Sequence, residues 1–233
     1  MPTRPLFRLS CEPPLLVVRF DEPMQTLGWP VLKPGFASAR EIVWLEVHDG
    51  DLPIHVDAVA FLKEKLAAES LVEAAAFMTS RDIRRHYVKH CGVGAVAATC
   101  VATVGLSNAE RVGSRRASKC RGAFGTINTL VHVSCPLALG AFIEAVSIAA
   151  QARTAAVMET SPVQQVRPVT GTGTDCIIIA APKGGRPADC AGLHTDIGEA
   201  IGAAVYDAIF AGATQWWVEA TPHPAVQRTR GAL

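Results

Sequence analysis

Four short segments set hydroxyls, carboxamides, an imidazole and carboxylates among apolar neighbours. They are Gly105-Leu106-Ser107-Asn108-Ala109, Gly125-Thr126-Ile127-Asn128, Thr170-Gly171-Thr172-Gly173-Thr174-Asp175, and Gly192-Leu193-His194-Thr195-Asp196-Ile197-Gly198-Glu199. Asn108, Thr126, Asn128, Thr170, Thr172 and Thr174 offer donors and acceptors for a polar substrate. His194 with Glu199 or Asp175 has the make-up of a general base and its orienting carboxylate. Each segment has a plainer reading too. The Thr/Gly run is either a phosphate cradle or a glycine-rich turn closed by a capping Asp175, and no Gly-Lys-Ser/Thr ending follows it. His194 and Glu199 are equally a helix-start histidine and an exposed acid, with Thr195 or Asp196 as the helix cap.

The remaining reactive side chains are dispersed. Arg111, Arg115, Arg116, Lys119 and Arg121 form a basic loop, read as a solvated surface or as a contact for an anionic group. His86 and His90 stand four apart on an expected helix, among Arg84, Arg85 and Lys89, which favours a basic solvated face over a metal pair. Seven cysteines without a C-x-x-C pair give neither a disulfide framework nor a zinc ribbon. They fit reduced, mostly buried thiols in a cytoplasmic protein. No metal ligand set is predicted.

The elements that must position these groups follow from periodicity. Strands are expected at 15–20, 28–32, 42–47, 76–80, 93–106, 124–134 and 176–180, the last short, wholly apolar and therefore central. Helices are expected at 59–71, at 81–90 capped by Ser80, from 137 to about 158 behind Pro136, and at 196–210, closed by Gly212. The order gives an α/β or α+β fold: one domain over residues 1–212 with a mixed sheet, packed helices and a β-rich start, then a tail at 213–233. Trp216 and Trp217 in that tail have three readings: core packing, a subunit contact, or a cover for a flat ligand.

Composition narrows the function classes. Across 233 residues, 22 basic and 21 acidic side chains leave a net charge of +1, so neither a basic nucleic-acid scaffold nor an acidic tail protein is indicated. Hydrophobic residues make up 49% and charged residues 18%, enough apolar surface for a large core. Mean hydropathy is +0.25, yet the longest uncharged run, 91–108, is built of Gly, Ala, Val and Thr and is too weakly apolar for a membrane span.

Together and in this order, the four segments resemble the adenosylcobinamide amidohydrolase family. Between the second and third, Glu144-Ala145-Val146-Ser147-Ile148-Ala149-Ala150-Gln151-Ala152-Arg153-Thr154-Ala155-Ala156 looks like that family's long helix. The similarity spans residues 41–210. It departs at Gln151, where an acidic residue is expected, so no catalytic acid is assigned there. The resemblance implies a corrinoid-salvage enzyme. Such an enzyme hydrolyses the amide joining the aminopropanol arm to the corrin ring of adenosylcobinamide, or of a complete cobamide such as pseudocobalamin. The corrinoid is then substrate, and no cofactor, nucleic acid or membrane partner is implied; a homo-oligomer stays open. On that reading water attacks with help from His194, oriented by Glu199 or Asp175, while the 171–174 backbone and Asn108 or Asn128 hold the oxyanion. A covalent route through Thr172 or Thr174 is the alternative. Arg115, Arg116 and Lys119 would meet the phosphodiester of a complete cobamide. A non-catalytic corrinoid carrier or sensor would use the same pocket, and a nucleotide-binding module is a third reading.

Overall fold

Strand β8 (Ile127–Val133) shows how the layers form. Successive strand residues point to opposite faces, and all seven are buried, so both faces are covered. Ile127, Val131 and Val133 enter one core with helix residues; Leu130 enters another built only from strands and their connections. The computed structural model describes residues 7–48, 50–53, 55–114, 125–162 and 167–220.

Ten strands and three helices are described: β1 (Phe7–Glu12), β2 (Leu15–Gly28), β3 (Gly35–Glu46), α1 (Ala58–Ala68), β4 (Ala75–Thr79), β5 (His86–Val93), β6 (Val96–Val104), β7 (Ala109–Glu110), β8, α2 (Leu139–Thr160), β9 (Gly171–Thr172), β10 (Cys176–Ala181) and α3 (Asp196–Ala220). The main sheet has eight strands in the order β4-β3-β2-β10-β8-β6-β5, with β1 also on β2. The β3–β4 and β8–β10 pairs are parallel and the others antiparallel, so the sheet is mixed. β7 and β9 make a separate small ribbon.

This sheet folds across itself. The register of β2 on β3 shifts between Arg19 and Met24. On one side of the shift β2 pairs with β1, on the other with β10. Leu16, Phe20, Trp44 and Phe77 thereby pack against Val101, Leu130, Ile178 and Ala180 from the other half of the sheet. The Trp44 and Phe77 rings lie 4.8 Å apart at this centre. α1 covers the outer face of β3 and β4 through Leu62 and Leu66, and α2 and α3 cover β10, β8 and β6. The result is four layers: helix, sheet, sheet, helices. α2 is long and apolar enough to cross a membrane, with mean hydropathy 1.2. Here Phe142, Ala145, Ala149 and Val157 on it are buried against the sheet and α3.

Several expectations are corrected. Residues 81–90 do not form a helix. Asp82 Oδ1, not Ser80, accepts from the Arg84 amide and caps one 3-10 turn, Ile83–Arg85. β5 follows and pairs along its length with β6. The Arg/His-rich face suggested a helical period, whereas Tyr87, Cys91 and Val93 alternate toward the helix-covered core in a two-residue period. Residues 29–34 leave the sheet, except for a bridge from Leu32 to Ala76, and β1 was not anticipated. Gly212 does not end α3, which runs on to Ala220. A Cβ at Gly212 would lie 2.6 Å from Val104 Cγ2, so the glycine serves close helix–sheet approach and not termination. Trp216 and Trp217 are therefore helical. They stack edge to face at 4.7 Å and pack on the core, the first of their three readings.

Candidate functional site

Parallel strands β8 and β10 start at the same end of the sheet, Cys176 opposite Asn128. Strand β6 ends there, with Val104 opposite Ile127. The Met78 carbonyl at the end of β4 reaches this end across the inter-sheet layer, where it accepts from Asn128 Nδ2 at 2.8 Å. A cleft of about 280 Å³ opens between the two layers. Val31, Val47, Leu52 and Met78 give it apolar walls, and His48, Thr79, Ser80, Asn108, Thr126 and Thr174 supply the polar groups.

Asp175 organises one wall. Its Oδ1 accepts from the Ile127 amide at 3.2 Å and from the Thr172 hydroxyl; Oδ2 accepts from the Thr172 amide at 3.0 Å and from Arg153. One buried carboxylate thus ties the Thr/Gly loop, the start of β8 and helix α2 together. Burial pushes this carboxyl above the usual carboxylate range, and the Arg153 charge with the Thr172 and Ile127 hydrogen bonds pulls it back. With both oxygens so engaged, Asp175 positions its neighbours and has little capacity left as a base.

The cleft groups differ in how firmly they are held. Thr126 Oγ1 donates toward the Thr174 carbonyl at 2.8 Å, with Asn128 Oδ1 at 3.2 Å. Thr174 Oγ1 donates to the Gly125 carbonyl at 3.0 Å. Thr170 lies off the cleft: its Oγ1 accepts from the Val112 amide at 2.8 Å and fastens the β7–β9 ribbon. Asn108 is loosely held. Its Nδ2 makes one long 3.5 Å contact to Thr174 Oγ1, and its buried Oδ1 has no partner. A half-buried carboxamide with unmet capacity on the wall of a cleft is suited to another amide, which brings one donor and one acceptor. The Cys176 thiol is pushed up to about 11, by burial first and by Asp175 second, so it stays protonated at neutral pH.

The structure does not bring His194 and Glu199 to this cleft. They are exposed at the start of α3, where Thr195 Oγ1 accepts from the Gly198 amide at 3.0 Å as the N-cap. Asp196 there abuts Gly94 in the β5–β6 hairpin, while the other end of α3 reaches Arg81 through Glu219 at 2.7 Å. His194 thus lies at the end of the sheet where β8 finishes. The seven residues of β8 separate it from the cleft by roughly 20 Å. The expected pairing of His194 with Asp175 is corrected on that ground. His86 and His90 sit on a strand: their Nδ1 atoms lie 2.7 Å from the Ile83 carbonyl oxygen and 2.9 Å from Thr99 Oγ1. No metal-holding group of three or more His, Cys, Asp or Glu occurs among the described residues. Arg115, Arg116, Lys119 and Arg121 lie outside the described residues. Gln151 bonds Ser147 Oγ at 3.1 Å on an exposed stretch of α2, away from the cleft.

Four participants were missed in the sequence. His48 falls just outside the expected strand 42–47. It follows the clearest strand directly, and a strand end is where such a group belongs. Its Nε2 lies 3.8 Å from Oε1 of Glu46, whose Oε2 accepts from the Ile83 amide at 3.2 Å and is thereby fixed. Ser80 had been given a capping role and instead lines the cleft. Arg153 carried no signal beyond its place in a small-residue helix. Trp29, taken as a strand residue, donates through Nε1 to the Asp175 carbonyl at 2.5 Å.

Fold and cleft define a four-layer α+β protein whose apolar-walled pocket, set with a few polar groups, opens where its two sheet layers end. The family model for adenosylcobinamide amidohydrolase (CbiZ) matches residues 3–220, and the chain belongs to this family. That membership implies amidohydrolase chemistry on a small corrinoid substrate. No curated protein matches the chain in sequence. Among solved structures, a beta-aminopeptidase of Burkholderia sp. is similar at 11% identity, over 88% of this chain and 78% of that one, with a TM-score of 0.43. So slight a likeness carries no argument about activity.

Proposed function

We propose that this protein hydrolyses the amide between the aminopropanol arm and the corrin ring of adenosylcobinamide, giving adenosylcobyric acid and 1-amino-2-propanol, and that the cleft beside Asn108 and Thr126 is where it does so. Family membership supports the substrate class. The observation that carries the location is Asn108, a cleft carboxamide whose buried oxygen lacks a partner.

The proposed attack is by water. Thr172 does not line the cleft, and Thr174 Oγ1 donates to the Gly125 carbonyl, which is no base, so neither is taken as a covalent nucleophile. His48 is the imidazole on the cleft and takes the proton from that water, with Glu46 stabilising the imidazolium. Asn108 Nδ2 donates to the developing oxyanion. The imidazolium returns its proton to the departing amine. Asp175 and Arg153 hold the wall in register and do not touch the reacting atoms.

Incubating the protein with adenosylcobinamide, and separately with adenosylpseudocobalamin, tests the reading by mass. Adenosylcobyric acid from either supports the hydrolase. Binding without product would contradict hydrolysis and favour a corrinoid carrier.

A further inference from the structure

A drug-sized ligand fills a pocket of about 300–1,000 Å³. At about 280 Å³, the cleft admits an aminopropanol amide but no corrin macrocycle. If the arm enters, the ring must rest outside on the rim. A large flat side chain stands close to two of the cleft's lining residues. Trp29 is 42% exposed in the segment that leaves the sheet after β2, two residues before Val31 of the cleft wall. It is no loose surface residue. Its amide donates to the Ile177 carbonyl at 3.2 Å, and its indole Nε1 donates to the Asp175 carbonyl at 2.5 Å. Asp175 lies between Thr174 and Cys176, both of which line the cleft. At Gly28 an added Cβ would collide with the Ile177 carbonyl, so the glycine lets this strand end approach β10 closely enough to seat the indole. A tryptophan anchored by its polar edge, with open ring surface and few rotamers to lose, is suited to receive another flat apolar face.

We propose that Trp29 is the platform on which the corrin macrocycle rests while its arm enters the cleft. Trp29 is thus a binding and specificity residue and not a catalytic one. This inference rests on the corrinoid reading above.

The test is calorimetric titration of the folded protein and its variants with adenosylcobinamide and with methylcobinamide, which keeps the macrocycle with one face uncapped by an organic ligand and lacks adenosine. Thermal denaturation confirms that each variant is folded. Trp29→Ala should weaken both ligands about tenfold, the loss of one stacked ring. Trp29→Phe, which keeps a ring and loses the Nε1 hydrogen bond, should stay within about threefold of the wild type. Equal affinity of wild type and Trp29→Ala would overturn the proposal and leave the function reading intact. A loss confined to adenosylcobinamide would overturn it in favour of adenine stacking. An equal loss in Trp29→Phe and Trp29→Ala would overturn it in favour of a purely structural hydrogen bond. A wild type that binds neither ligand would contradict the corrinoid reading itself.

Discussion

The two ends of the β6–β8–β10 layer carry polar groups of similar kinds and treat them differently. At the end where β8 begins, hydroxyls and a carboxamide from the start of β8, the loop after β6 and the loop before β10 converge on a cleft, and the Asp175–Arg153 pair braces the loop behind it. At the end where β8 finishes, Thr195 caps α3, Glu144 Oε2 accepts from the Ala191 amide at 2.6 Å, and His194 and Glu199 face solvent. The first set spends its hydrogen bonds building a pocket, the second securing a helix start and the connection that leads to it. A histidine and two carboxylates close in sequence are thus not drawn together around a cleft, whereas groups from separate elements at the other end are.

The contrast can be strained from either side. The largest stability effect is expected at Arg153, whose side chain is 16% exposed beside the 6% exposed Asp175. Arg153→Met leaves that carboxylate buried without its cation and should cost about 3–5 kcal/mol by denaturant titration. A loss below about 1 kcal/mol would mean that the pair does not hold the cleft end together.

The opposite end of the inter-sheet core holds a different buried charge problem. His132 packs against Phe7 and Phe20, with ring centroids at 6.0 and 5.5 Å, and its Nε2 has no partner. Burial first, and the neighbouring His90 second, lower its pKa from 6.5 to about 4. The unfolded chain takes up this proton as pH falls through 6.5 and the folded protein only near 4. Stability present above pH 6.5 is thus lost between those values, by about 3 kcal/mol. His132→Phe should flatten the dependence of Tm on pH across that window. An unchanged slope would show that other groups set it.

A smaller effect is expected at Gly212. Gly212 lies within α3, where alanine by helix propensity alone would stabilise by about 1 kcal/mol. Because Val104 is fully buried and Tyr87 Cδ2 lies 3.1 Å from where the Cβ would be, Gly212→Ala should destabilise by about 1–2 kcal/mol despite better helix propensity. A gain in stability would show that Val104 and Tyr87 yield to the added methyl group and that close approach does not require the glycine.

Much of the fold was legible where one periodicity dominated. The continuous apolar run of 176–180 announced a central strand, and β10 does lie between β2 and β8. The helices α1 and α2 were also legible from their apolar stripes, although α2 starts at Leu139, beyond the first turn expected at Pro136, and of the two caps offered for α3 Thr195 is the one formed. Residues 81–90 were not, because their pattern of basic residues fits two periods and the partner strand decides between them. The site was half legible. Asn108, Thr126, Thr174 and Asp175 were singled out by polarity at strand ends, and they do assemble. His48, Ser80 and Trp29 were not, because the approach of β3, β4 and residues 29–34 to the cleft depends on the sheet folding over itself. That bend lies at the register shift within β2, which no motif announces.

The most direct measurement compares turnover of adenosylcobinamide by His48→Ala and His194→Ala, each checked for folding. A site at the cleft end predicts a fall of about 10²–10⁴-fold for His48→Ala and turnover within about twofold of wild type for His194→Ala, since exposed positions far from a site have little effect. The reverse pattern, His194→Ala inactive and His48→Ala intact, would contradict the account and move the chemistry to the start of α3.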